Sequence, residues 1–312
     1  MIVASIDIGT NTVLLLIAKL DQASKNIIPI LNEYRMPRIG RGIKQNGQIN
    51  TDSISKLFAV LREFKTIISE YNCDTILVSG TNAFRMATNS TEIIESIRNE
   101  FNLEIKVISG EQEAEYAYLG ALSALKEKTY VSVIDVGGSS TEIITGEGSK
   151  ILTKVSLQIG SVTVTEQYLK TSPPNNSDIE NMKQEIRNQF RFFDKNLIAR
   201  RVIAIAGTAT TLACMKLGLK EFDENVVDNF TLKGDALSQL ISDIDKLSSI
   251  DILENYGAIM KGREDIILAG AIILEQFMKF CEVNSVIVST RGIRYGAIVK
   301  RLFKGTMDSN FV

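Results

Sequence analysis

The spacing of apolar positions changes several times along the chain, and each change marks an element. Apolar runs at 2–8, 12–20 and 26–35, separated by short polar turns, predict three antiparallel strands. From 52 to 71 the apolar residues Ile54, Leu57, Phe58, Leu61, Phe64, Ile67 and Ile68 recur at helical spacing. A strand at 75–79, a helix at 90–101, a strand at 104–108 and a helix at 110–125 complete the first half. The second half begins as the first did, with strand-like runs at 129–135, 141–145 and 151–157. A helix follows Gly160, and Pro173-Pro174 breaks the chain after it. Helices at 178–197, 232–247, 264–280 and 292–303, with strands at 202–205 and 286–288, account for the rest. The stretch 36–47, rich in glycine and basic residues, reads as an exposed loop.

The two halves share residues as well as order. Residues 5–12 are Ser-Ile-Asp-Ile-Gly-Thr-Asn-Thr, and residues 133–140 are Val-Ile-Asp-Val-Gly-Gly-Ser-Ser. A shift of 128 positions lays Asp7-Ile8-Gly9 on Asp135-Val136-Gly137. Asp and Gly are ordinary turn residues, so one copy means little. Two copies at matching places in two hairpins predict a duplicated domain. Without a Cβ at Gly9, Gly137 and Gly138, successive backbone N–H groups can point at one anion. Thr10, Asn11, Thr12, Ser139 and Ser140 add side-chain donors. The pattern fits a phosphate chain held between the halves. Asp7 and Asp135 would repel phosphate, which favours holding a hydrated cation or orienting a water. The plainer reading is a pair of glycine-turn hairpins, each with an Asp bonding locally at its strand end.

Composition narrows the chemistry by what is missing. The 312 residues predict two domains, 1–125 and 126–312, with a boundary near Lys126-Glu127-Lys128 and the last helix free to pack back on the first domain. Hydrophobic residues at 45% and charged residues at 23% are ordinary for a globular protein, and a net charge of -2 gives no general attraction to nucleic acid or membrane. No secretory signal or spanning segment is read at the N-terminus, where Asp7 interrupts the apolar run. Cys73, Cys214 and Cys281 are odd in number and far apart, and are expected to be buried thiols of a cytoplasmic protein. The chain has no His, which removes Ser-His-Asp hydrolysis and His-rich metal sites. It has no G-x-x-x-x-G-K-[ST] loop either. Acid–base work falls to Asp, Glu, Lys or Tyr, and oxygen ligands favour Mg²⁺ over Zn²⁺.

Six segments together resemble the exopolyphosphatase / guanosine pentaphosphate phosphohydrolase family. They are I-D-I-G-T-N-T at 6–12, G-T-N-A-F-R-M-A-T-N at 80–89, V-I-S-G-E-Q-E-A at 107–114, I-D-V-G-G-S-S-T-E at 134–142, G-T-A-T-T-L-A at 207–213 and R-G-I-R-Y-G at 291–296. The resemblance implies an α/β fold of two actin-like domains, of the ribonuclease H-like, sugar-kinase and heat-shock ATPase kind, with a cleft between them. Carried over position by position, it makes Glu113 the catalytic carboxylate that orients and deprotonates a water in line with the terminal phosphorus. It makes Arg85 a phosphate ligand, a role that suits a planar guanidinium. It sets Asp135 and Glu142, with Asp7, near a Mg²⁺ ion. It adds Gly207 and Thr208, which open a helix after a strand, to the phosphate-binding residues. Glu111 and Glu115 read as the acidic start of a helix, favoured by its dipole.

Three departures from the family pattern stand out. Ser139 occupies a turn position where many members have Gly. Asp228-Asn229 stands near where many have His-Gly. Thr290 and Tyr295 replace an Asp and a Glu of the last motif. The sequence also lacks the extra C-terminal helical region of longer members, which favours a short-chain polyphosphate or a nucleotide. The expected activity is hydrolysis of the terminal phosphoanhydride of inorganic polyphosphate. Guanosine pentaphosphate as substrate, an ATP-dependent kinase on the same fold, and a non-catalytic polyphosphate or alarmone sensor remain rivals, since one superfold serves them all. No nucleic-acid or membrane partner is expected, and a homodimer is left open.

Overall fold

The computed structural model describes residues 1–21, 26–123 and 130–302. The expected boundary at Lys126-Glu127-Lys128 lies outside them. The chain divides into two compact units, Met1–Leu125 with Arg291–Val312, and Lys126–Thr290.

The first unit opens with β1 (Ile2–Ile8), β2 (Val13–Asp21) and β3 (Asn26–Arg35), paired antiparallel in that order. The short helix α1 (Ile43–Asn46) and the long α2 (Thr51–Glu70) follow. Asn50 caps α2 by accepting a hydrogen bond from Ser53 N at 2.9 Å. Then come β4 (Thr75–Gly80), α3 (Asn82–Met86), α4 (Ser90–Phe101), β5 (Ile105–Val107) and α5 (Gly110–Leu122). The sheet order is β3-β2-β1-β4-β5, with β1, β4 and β5 parallel.

Both faces of this sheet are covered, which is why β1 and β2 are apolar almost throughout. Ala4, Ile6 and Ile8 of β1 pack with Leu57, Leu61, Phe64 and Ile97 of α2 and α4. Val3, on the opposite face, packs with Tyr116 and Leu119 of α5. Asp7 has the parity of Val3 and so lies on the α5 face. The stretch 36–47 is not an exposed loop: Ile39 and Ile43 are buried in the first core. Gly42 and Gly47 take positive φ at either end of α1 and let so short a helix turn inward.

The second unit repeats the plan with β6 (Tyr130–Val136), β7 (Thr141–Glu147) and β8 (Lys150–Leu157). Next are α6 (Ser161–Tyr168), α7 (Asn176–Phe190), β9 (Arg201–Ile205), α8 (Ala206–Leu217) and α9 (Glu224–Val227). β10 (Thr231–Lys233), α10 (Gly234–Ile244), α11 (Ser249–Tyr256), α12 (Ile267–Phe280) and β11 (Ser285–Val288) complete it. Its sheet order is β10-β11-β9-β6-β7-β8, with β6, β9 and β11 parallel. The two sheets are those of the expected actin-like α/β fold. The last helix, α13 (Ile293–Leu302), belongs to the first unit and packs with α5.

Several boundaries differ from expectation. The helix expected over 178–197 ends at Phe190, and only a 3₁₀ turn (Lys195–Leu197) follows. The helix expected over 232–247 begins as β10, whose Leu232 sits opposite Val286. The helices α1, α3, α9 and α11 were not foreseen, being too short to display a period. Of the three thiols only Cys214 is buried, while Cys73 and Cys281 are half-buried; all three are free. Among the described residues, no helix is long and apolar enough to cross a membrane.

Candidate active site

In both units the candidate residues gather at the carboxyl ends of the parallel strands, where open α/β sheets place their ligands. β1 ends beside Asp7 and the Gly9 turn, β4 leads into α3 with Arg85, and β5 leads into α5 with Glu113. Thr81 N donates to Ile8 O at 3.2 Å, and Ile108 N donates to Gly80 O at 3.0 Å, which ties these strand ends together. In the second unit β6 ends at the Gly137 turn and β9 leads into α8 with Gly207 and Thr208.

The two glycine turns are built alike. Gly9 N donates to Thr12 O at 3.0 Å, and Gly137 N donates to Ser140 O at 3.0 Å. A Cβ on either glycine would come within 3.1 Å of the same carbonyl it binds. Thr10, Ser139 and Ser140 are buried, while Gly9, Asn11, Thr12, Gly137 and Gly138 are partly open. Gly160 packs directly against the Gly138–Ser139 backbone.

Asp7, Arg85 and Glu113 form one electrostatic group in the first unit. Glu113 sits in the first turn of α5, which Ser109 caps through a reciprocal bond with Gln112. Its carboxylate is buried, and Oε2 lies 2.7 Å from Arg85 Nη1. No guanidinium N–H is aimed at Oε2, which lacks a directed hydrogen bond, so the contact is a charge pair. Arg85 is held independently, with Nη1 donating to Ile108 O at 2.7 Å and Nη2 to Asn82 Oδ1 at 3.3 Å. Burial pushes the Glu113 carboxyl above the usual carboxylate range, and Arg85 opposes that shift. Asp7 is raised to about 7, first by burial and then by the Glu113 charge, with Arg294 pulling the other way. Asp7 Oδ1 is also buried without a hydrogen-bond partner. Glu111 is exposed, and Glu115 pairs with Lys300 at 2.7 Å.

The second unit brings Asp135 and Glu142 together as directly paired residues of β6 and β7, on one face of the sheet. Ser156, paired with Glu142 across β8, donates to Glu142 Oε1 at 2.8 Å. The corresponding pairing in the first unit sets Asp7 against Leu14, so only the second unit carries a carboxylate pair there. Two adjacent carboxylates in a chain without His suit an oxygen-preferring divalent cation that keeps part of its water. Among the described residues, no group of three or more Cys, Asp and Glu could hold a metal ion.

Thr208 turns its hydroxyl to Val136 O at 3.0 Å, and Gly207 is covered by the guanidinium of Arg263. Arg263 Nη1 donates to Gly207 O at 2.6 Å and to the Thr211 hydroxyl. Asn82, Ser156, Arg263 and Arg294 were not singled out by sequence. Each acts through a partner distant in the chain, apart from Asn82, which lies three residues from Arg85. Two of the departures prove to be in contact: Asp228 Oδ1 accepts from Thr290 N at 2.9 Å and from the Ser289 hydroxyl at 3.1 Å. Tyr295 is fully buried in the core of the first unit, with Arg291 over its ring at 5.1 Å.

Residues 16–304 match the profile of the Ppx/GppA phosphatase family. The chain belongs to the Ppx/GppA phosphatase family. It is 29% identical to a bifunctional 3-dehydroquinate synthase/phosphatase of Fusobacterium nucleatum over 315 residues, an alignment spanning 95% of this chain but only 46% of that protein. It is 25% identical to exopolyphosphatase 2 of Mycobacterium tuberculosis over 292 residues, spanning 89% of this chain and 90% of the other. A crystal structure of the Aquifex aeolicus family member superposes with a TM-score of 0.83 at 30% identity, covering 98% of this chain and 99% of that one. An exopolyphosphatase from Cytophaga hutchinsonii shares the fold, with a TM-score of 0.89 at 24% identity over 98% and 99% of the two chains. Ppx/GppA enzymes are phosphoanhydride hydrolases and generally depend on a divalent cation. Membership sets aside the kinase considered on the same fold.

Proposed function

We propose that the protein removes the terminal phosphate of inorganic polyphosphate, using Glu113 as general base and Mg²⁺ as the cation. The observation that carries this reading is the buried Glu113 at the capped start of α5, facing a fixed arginine. A carboxylate whose proton affinity is raised by burial is a better base near neutral pH. In the proposed step Glu113 takes a proton from water, the water oxygen bonds to the terminal phosphorus, and the bond to the bridging oxygen breaks. The shortened polyphosphate leaves with that oxygen. Arg85 neutralises charge on the transferred phosphoryl group, and the glycine turns hold phosphates through backbone N–H groups and hydroxyls. Asp135 and Glu142 would hold the cation, which supplies charge neutralisation when bound.

Polyphosphate ranks above guanosine pentaphosphate in this reading, because the phosphate-binding residues are donors and none is assigned to a nucleobase. Phosphate release should be measured with polyphosphates of defined length, guanosine pentaphosphate and ATP, with and without Mg²⁺. The expected result is Mg²⁺-dependent release with the highest kcat/KM on polyphosphate. A higher kcat/KM for guanosine pentaphosphate than for every polyphosphate length reverses the ranking. Binding without release under every metal condition replaces the enzyme with a sensor.

A further inference from the structure

Arg85 has three oxygen partners, and they are unlike one another. Ile108 O and Asn82 Oδ1 are neutral and fix the guanidinium whether or not Glu113 is present. Glu113 Oε2 is charged and close to Nη1, yet off the line of any N–H. Exposure is unequal as well: the Arg85 side chain keeps 25% of its surface in solvent and that of Glu113 keeps 11%. The arginine side chain is thus the more accessible of the two to an arriving phosphate. The phosphate can offer two oxygens in a charge-assisted, bidentate arrangement, which the misaligned carboxylate oxygen does not.

We infer that the Arg85–Glu113 ion pair is a resting contact that a substrate phosphate displaces, so that one exchange both binds the substrate and releases the base. The inference rests on the roles proposed above for these two residues. No covalent bond changes in the exchange: Nη1 trades a carboxylate oxygen for a phosphoryl oxygen. The bonds to Ile108 and Asn82 keep the guanidinium in register while this happens. The released carboxylate stays desolvated and loses its countercharge, the condition under which a carboxylate holds a proton more tightly. The base gains strength only when a phosphate is in place to be attacked.

A double-mutant cycle tests this. Binding of imidodiphosphate, whose P–N–P bridge resists hydrolysis, is titrated calorimetrically to the wild type, Glu113→Gln, Arg85→Gln and the double variant. Glu113→Gln should tighten binding by about fivefold or more while Arg85 is present, the lower end of ordinary coupling between sites. In the Arg85→Gln background the same change should alter binding far less. Equal tightening in both backgrounds overturns the inference, since it would reflect repulsion of phosphate by Glu113 alone. No tightening in either background overturns it too. If Arg85→Gln is unfolded, Arg85→Lys serves in its place, because a lysine cannot offer the bidentate fork. Failure of the general-base reading is seen separately, as an undiminished kcat for Glu113→Gln on polyphosphate.

Discussion

At the scale of single residues, three glutamates in one helix start separate cleanly by surroundings. Glu113 is buried against Arg85, Glu111 is exposed and Glu115 is tied to Lys300. Glu113→Gln keeps the size of the side chain and removes the proposed base, and should lower kcat by roughly 10²–10⁴-fold. Glu111→Gln should cost far less, and equal losses in steady-state phosphate release would point to damage at the helix end. Asp7 gives a pH prediction. Its carboxyl has an ordinary value of 3.8 and is raised to about 7 in the folded protein. Between those values the folded protein holds a proton that the unfolded chain has released. The contribution of Asp7 to stability is therefore full below 3.8 and lost as pH rises through about 7. Asp7→Asn imitates the protonated form at every pH. Urea unfolding in EDTA should show the wild type losing stability relative to Asp7→Asn as pH rises across that window, and a constant difference would contradict the assigned burial. Sequence singled out Asp7, Arg85 and Glu113, because each sits in a short motif. It did not reveal that Arg85 is pinned by Asn82 and Ile108, since a hydrogen bond to a backbone carbonyl 23 residues away leaves no pattern in side-chain type.

At the scale of elements, the second glycine turn depends on a glycine outside it. A Cβ at Gly160 would collide with backbone atoms of Gly138 and Ser139, which cannot swing aside as a side chain can. Gly160→Ala should destabilise the protein by roughly 1–3 kcal/mol, as overpacking does. It should also reduce phosphate release, because relief requires the turn to move. Thermal unfolding and kcat/KM together check this, and a variant with wild-type values in both would show the contact to be soft. Gly296 plays a matching role between helices, where an added Cβ would strike the backbone of Tyr116 in α5. Long periodic elements such as α2 were legible within a residue or two, since many apolar positions vote for one period. Apart from the overlong helix expected over 178–197, the misread segments were short ones. Leu232 and the residues after it suggested a single helix, but Leu232 and Lys233 belong with Thr231 to a strand against β11, a pairing that depends on a partner over 50 residues away.

At the scale of the whole molecule, the duplication was legible from the matching Asp-Gly turns, and the strand registers of the two hairpins repeat with the same spacing. What the repeat concealed is its asymmetry. Asp135 faces Glu142 where Asp7 faces Leu14, so the first copy cannot present the carboxylate pair of the second. A cation requirement should accordingly follow the second unit. Glu142→Gln keeps an oxygen toward Ser156 and removes one charge from the proposed pair. It should raise the Mg²⁺ concentration needed for half-maximal phosphate release by about tenfold or more, the scale seen when a metal site loses a supporting group. The shift in thermal unfolding that Mg²⁺ produces in the wild type should shrink in the same variant, because a cation that binds only the folded state stabilises it in proportion to its affinity. Leu14→Ala, at the equivalent, half-buried place in the first copy, should leave the Mg²⁺ requirement unchanged. If Glu142→Gln leaves both the half-maximal Mg²⁺ concentration and the Mg²⁺-induced thermal shift at their wild-type values, the cation is held elsewhere and the asymmetry has another purpose.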